Sequence, residues 1–148
     1  MAYDEHKQHA QKQASCLIIT ISDTRTEATD ASGKLMAELL EQNGHRVARK
    51  AIVPDEPEMI AALLREGIAS DDVQAILCNG GTGISVRDRS YEAVEAVLDK
   101  RLDGFGELFR LLSYQEIGSA AMMSRAVGGI AGNTAIFSVP GSKAAIEL

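Results

Sequence analysis

The sequence predicts an α/β domain in which a largely parallel sheet is covered by helices on both faces. Two observations carry this reading. After residue 14, short β-rich runs alternate with helix-period runs, the order produced when crossover helices join parallel strands. The β-rich runs are also nearly continuous apolar segments rather than alternating ones, which suits strands buried on both faces. A third observation sets the scale. With 148 residues, 45% hydrophobic and 24% charged, the chain has the size and composition of one globular domain.

The elements follow in order. Residues 1–14 are polar and Gln-rich and lack the apolar core of a signal peptide, so they are expected to form a flexible tail before a single domain at 15–148. Ser15–Ile21 reads as the first buried strand. Asp30 and Ser32 offer N-caps to a helix with Leu35, Met36, Leu39 and Leu40 at helical spacing, and Asn43-Gly44 closes it. Val47 to Val53 is a second strand, stopped by Pro54. Asp55 is placed to cap the next helix, which has Pro57 in its first turn and Met59, Ile60, Leu63 and Leu64 on one face. Val73–Cys78 is the third strand and runs into Gly80-Gly81-Thr82-Gly83. Ser90 then offers a cap to a helix carrying Val94, Val97 and Leu98. Helical pattern continues from Phe105 to Ile117 and through Ala120–Val127. Thr134–Val139 is the last strand, after which Pro140-Gly141-Ser142 opens a short helix.

Composition excludes several functions. The net charge is −6 and aromatic residues are 4% with no Trp, which argues against a nucleic-acid-binding face. No apolar run approaches the roughly 20 residues of a membrane-spanning helix. Cys16 and Cys78 lie apart in strand-like runs and form no metal or redox motif, so a reducing cytoplasm is the simplest setting. Ile117 through Ile146 contains no Asp or Glu but does contain Arg125 and Lys143, so an anionic ligand is tolerable there.

Parallel α/β sheets bind ligands beyond the carboxyl ends of their strands. Three strand-exit loops carry anion-binding chemistry: Ser22-Asp23-Thr24, Gly80-Gly81-Thr82-Gly83 and Pro140-Gly141-Ser142-Lys143. Glycines let successive N–H groups point at one anion, while hydroxyls and Lys143 add donors. The loop after the third strand lacks the Gly-Lys-Ser/Thr ending of a P-loop, and no G-x-G-x-x-G follows the first strand. The acids stay open on residues alone. Asp55 reads first as a helix cap. Asp88, between Arg87 and Arg89, is either an ionised group orienting a phosphate-bound Mg²⁺ or a solvated loop ion pair. Glu107 in a first helical turn is ordinary macrodipole matching.

Taken in order, Ser22-Asp23-Thr24, Gly80–Gly83 with Asp88, Gly104-Phe105-Gly106-Glu107-Leu108-Phe109-Arg110, Ser124-Arg125-Ala126 and Pro140-Gly141-Ser142 resemble the MoaB/MogA family of molybdenum cofactor biosynthesis proteins. The stretch Gly104–Gly118 is more similar to the MoaB branch. The chain departs from the family pattern at Ser90-Tyr91, where relatives often have Thr-Pro, and at Ile84-Ser85, which replaces a Pro-containing sequence.

The resemblance implies a three-layer α/β/α sandwich with a mostly parallel central sheet, the molybdopterin-binding (MogA-like) fold. It implies a cytoplasmic enzyme that binds molybdopterin and transfers AMP from Mg·ATP to its phosphate, releasing pyrophosphate. A non-catalytic molybdopterin-binding or carrier protein is the alternative. A third reading, action on another nucleotide-like substrate as in competence-damage-type relatives, is disfavoured by the Gly104–Arg110 stretch. Carried over by position, Asp55 and Asp88 are the expected catalytic residues and Mg²⁺ ligands. Ser22, Asp23, Thr24, Asp30, Gly80, Gly81, Thr82, Gly83, Glu107, Ser124, Arg125, Pro140, Gly141, Ser142 and Lys143 are the expected binding residues. The implied partners are other molybdenum cofactor biosynthesis proteins and further copies of the chain, in a hexamer or alternatively a trimer. Relatives also continue the helix begun at Ala144, so the expectation is a domain short of its last segment.

Overall fold

A computed structural model describes residues 2–148. The strands are β1 (Ser15–Ile21), β2 (Arg46–Val53), β3 (Ala75–Asn79), β4 (Lys100–Arg101), β5 (Val127–Ala131) and β6 (Thr134–Val139). The helices are α1 (Ala2–His9), α2 (Ala31–Gln42), α3 (Pro57–Ala69), α4 (Ser90–Val97), α5 (Asp103–Ile117) and α6 (Lys143–Glu147), with a 3₁₀ turn at Gly118–Met123. The six strands form one sheet in the order β2-β1-β3-β6-β5-β4. Neighbours among β2, β1, β3 and β6 pair in parallel, and β5 runs antiparallel to both β6 and β4.

Each layer follows from the side chains that the strands present. Leu17, Ile19 and Ile21 of β1 and Ile76 of β3 join Ile60 and Leu64 of α3 and Ala93 and Val94 of α4 in one core. Fully burying a side chain such as Ile60 or Leu64 contributes about 1.5–3 kcal/mol. Opposite them, α2, α5 and α6 border an apolar groove of about 560 Å³ with Leu77, Phe137 and Val139 at its floor. The result is a three-layer α/β/α sandwich, as expected.

Several local expectations are corrected. The tail carries helix α1, whose residues are all exposed. Ala120–Val127 is not an α-helix: Ala120–Met123 belongs to the 3₁₀ turn, and β5 begins at Val127. The hidden strand is glycine-rich because its surroundings admit no side chain. A Cβ on Gly128 would lie 2.8 Å from a Phe137 ring carbon and 3.0 Å from Phe105. Asp30 does cap α2, accepting from the Gly33 N–H at 2.9 Å, and Gly44 takes the left-handed φ of 84° that ends it. Ser32 is not a cap; it is buried within α2, and its Oγ donates to the Gly141 carbonyl. The Ncap positions of α3 and α4 are Glu56 and Arg89, neither with a side-chain cap.

Candidate functional site

Parallel pairing puts the exits of β2, β1, β3 and β6 on one edge of the sheet. The three expected loops meet there by backbone contact. Gly80, at φ 99°, packs so closely on β1 that a Cβ would collide with the Ile21 carbonyl oxygen. A Cβ on Gly141 would lie 3.3 Å from the Gly80 Cα. Only glycine fits a positive φ against a neighbouring backbone. Ser22 fixes the first loop by accepting the Thr24 and Arg25 N–H groups on its Oγ.

The glycine loop leaves donors free. The Gly80 N–H reaches the Val139 carbonyl at 3.0 Å. Among the described residues, the N–H groups of Gly81, Thr82, Gly83, Gly141 and Ser142 have no protein acceptor. Clustered free N–H groups in a glycine-rich turn form an anion-binding concavity. Thr82 is buried within it, and Ser142 and Lys143 are exposed at its border.

Asp55 is buried, 6% exposed, and it does not cap α3. Its Oδ1 accepts the Arg89 N–H at 3.1 Å, and its Oδ2 would lie 2.6 Å from a Cβ on Gly81. Burial raises its pKa above the ordinary carboxylate value, and the charges of Asp88 and Asp23 push the same way against the opposing Arg89 N–H. Asp23 is the opposite case: its hydrogen bonds from Arg87 and from the Asp55 N–H hold its pKa down.

Asp88 accepts the Ser85 N–H at 2.9 Å and faces Gly83, and it borders a cavity of about 390 Å³ with Arg89, Glu92 and Arg125. Neither flanking arginine hydrogen-bonds it. Arg87 instead forms two bonds to Asp23 and one to Glu56, and the Arg89 Nε donates to the Val86 carbonyl.

The remaining predicted residues divide. Arg125, expected as a ligand contact, is a clamp on the glycine loop. Its Nε reaches the Gly83 carbonyl and its Nη2 the Asp88 carbonyl, both at 2.8 Å, while its Nη1 pairs with Glu92. Ser124 is adjacent, its Oγ buried without a partner. Asp30 is occupied by the Gly33 N–H and the Thr20 hydroxyl, and that hydroxyl in turn accepts from the Asn79 amide. Pro140 stands at the β6 exit. Glu107 is exposed on α5, and no hydrogen bond or ion pair joins it to the cluster.

Sequence reading missed Arg25 and Arg87. Arg25 follows Ser22-Asp23-Thr24 directly and reaches the Gly141 carbonyl at 3.2 Å. The partners of Arg87 lie 31 and 64 residues away, a connection that no local pattern carries. Among the described residues, no group of three or more His, Cys, Asp or Glu side chains is arranged to hold a metal ion, and no helix is long and apolar enough to cross a membrane.

A mostly parallel α/β/α sandwich with free N–H donors and acidic side chains at its strand exits belongs to the class of α/β domains whose ligand sites lie at that edge. Comparison with known proteins narrows this class. Residues 17–148 match the family described as "Probable molybdopterin binding domain". The chain is 52% identical over 149 residues to the molybdenum cofactor biosynthesis protein B of Bacillus cereus, covering all of this chain and 88% of that protein. It superposes with a TM-score of 0.90 on a crystal structure of a molybdenum cofactor biosynthesis protein B, at 53% identity, over 94% of this chain and 87% of that one. The tungsten cofactor synthesizing protein MoaB from Pyrococcus furiosus gives 0.82 at 37% identity, over 93% and 88%. The chain belongs to the MoaB/MogA family of molybdenum cofactor biosynthesis proteins, on its MoaB branch.

Proposed function

We propose that the chain binds molybdopterin at the strand-exit edge and adenylylates its phosphate with Mg·ATP. The observation that carries this is the meeting of the acceptor-free N–H groups of residues 81–83 with Asp55 and Asp88 on one edge. In the reaction, an oxygen of the pterin phosphate attacks the α-phosphorus of ATP. A phosphoanhydride bond forms, the bond to the β-phosphate breaks, and pyrophosphate leaves. No protein nucleophile is required. The work of the chain is to hold two polyanions in line.

Mg²⁺ arrives with the nucleotide. It takes one or two carboxylates plus phosphate oxygens and waters rather than an all-protein cage. Asp55 and Asp88, neighbouring carboxylates on this edge, fit that requirement, while Asp23 is taken up by Arg87 and the Asp55 N–H. The ion would supply neutralisation of the triphosphate. Ser22, Thr24, Thr82, Ser142 and Lys143 belong to the strand-exit loops and would add donors, and Arg125 keeps the glycine loop in shape.

The chain is also proposed to act in the cytoplasm, alongside other molybdenum cofactor biosynthesis proteins, as a homo-oligomer, with a hexamer preferred to a trimer. Leu111, Tyr114, Ile117 and Met122 are all more than half exposed, which supports self-association. Incubating the protein with molybdopterin and Mg·ATP is expected to yield adenylylated pterin and pyrophosphate. Binding without turnover would replace this reading with the carrier one.

A further inference from the structure

We infer that Arg25 is the fixed cation that receives a phosphate monoester dianion in the cradle between the β1 and β6 exits. The inference rests on the proposed phosphate-ligand reading and names the residue that makes an acidic edge receptive. Asp23, Asp55 and Asp88 crowd this edge closely enough that Asp23 and Asp88 both disfavour the charge on Asp55. A phosphate brought here needs an opposing charge.

Arg87 is committed to Asp23 and Glu56, and Arg125 to two carbonyls and Glu92. Arg89 is open, held only through its Nε to the Val86 carbonyl, and it borders the Asp88 cavity. Arg25 is the open arginine that is bonded to the β6-exit loop. Its guanidinium makes a single hydrogen bond, from Nη2 to the Gly141 carbonyl. Asp30 forms an ion pair with it at 3.8 Å but no hydrogen bond, and the Asp30 oxygens already accept from Gly33 and Thr20. The Arg25 side chain is one-third exposed (34%). A guanidinium carries five N–H donors in a planar fork suited to phosphate oxygens, so most of this fork is available.

Its surroundings suit the same ligand. Arg25 Nη1 would lie 3.7 Å from a Cβ on Gly141, and that Cβ would touch Gly80. The guanidinium therefore stands beside the glycine loop whose N–H groups lack acceptors.

The test measures molybdopterin binding by pterin fluorescence, with inorganic phosphate as competitor, for the wild-type chain, Arg25→Gln, Arg25→Lys and the remote control Lys100→Gln. Gln keeps a donor for the Gly141 carbonyl but no charge, and thermal melting checks its fold. Arg25→Gln is expected to weaken both ligands about tenfold to a hundredfold, the span of one charge-assisted hydrogen bond. Arg25→Lys should recover part of the loss and Lys100→Gln should match wild type. Wild-type affinity for both ligands in Arg25→Gln overturns the inference while the molybdopterin reading survives. Phosphate binding that depends on Arg25 in a protein that ignores molybdopterin supports the inference and removes the reading. A wild-type chain that binds neither overturns both.

Discussion

Asp55 keeps a carboxylate where burial disfavours its charge, and the consequence is a link between pH and stability. Its folded-state pKa lies above the unfolded value, so its contribution is present in full below the unfolded pKa and is lost as pH rises through the folded one. The fold is therefore weaker above that folded-state pKa than below the unfolded one. Asp55→Asn retains an acceptor for the Arg89 N–H and is expected to melt higher than wild type at pH 7. Each kcal/mol relieved corresponds to about 2–4 °C. The gain should vanish near pH 4, which calorimetry at the two pH values checks, and adenylyl transfer should be lost with it. Asp88→Asn is expected to abolish adenylyl transfer while leaving the fold and much of the pterin binding in place; full turnover would remove Asp88 from the catalytic role. Asp23 behaves in the opposite sense. Arg87 lowers its pKa, so its contribution is present above the ordinary carboxylate range and fades as acid protonates it.

At the scale of elements, the strand exits depend on backbone contacts that side chains would break. Gly80→Ala places a Cβ at φ 99° against the Ile21 carbonyl, where neither backbone can yield without moving β1 or β3. A loss of at least about 1–3 kcal/mol is expected, read as a fall in urea midpoint. The loop itself is also tied down from the entry of β5. Arg125 stands just before β5 and reaches Gly83 and Asp88 across about 40 residues of chain. Arg125→Ala should therefore speed hydrogen exchange in residues 82–90 while β1 and β3 keep wild-type protection, as local opening free energies differ between elements. In the core, Leu64→Ala removes a side chain with 0% exposure between α3 and the sheet; the expected loss is about 2–5 kcal/mol.

For the whole molecule, α5 is apolar on two sides. Phe105, Phe109 and Leu112 border the groove over the sheet, whereas Leu111, Tyr114 and Ile117 face outward at helical spacing. A single chain leaves this outer stripe in water, and a second copy would cover it. The double variant Leu111→Glu, Ile117→Glu is expected to be monomeric at concentrations where the wild type scatters as an oligomer. A wild-type monomer by light scattering would remove the assembly altogether.

The sequence by itself determined the class of the fold, the extents of β1 and β6, the cap at Asp30, the stop at Asn43-Gly44 and the three strand-exit loops that meet at one edge. Each is written in a local signal: apolar run, capping side chain, or glycine beside a strand end. Tertiary structure decided the rest. Gly128 and Gly129 conceal β5 because Phe105 and Phe137 on one side, and Leu98 and the Lys100 carbonyl on the other, exclude side chains there, so the usual β-branched signature is absent. Asp55 has the composition of a cap and becomes a buried acid only because the chain returns 34 residues later to offer the Arg89 N–H. Arg25, Arg87, Arg89 and Arg125 look alike as residues. Which of them remain open depends on carbonyls and carboxylates brought to them by the fold, and packing alone supplies the distant partners of Arg87 and Arg125.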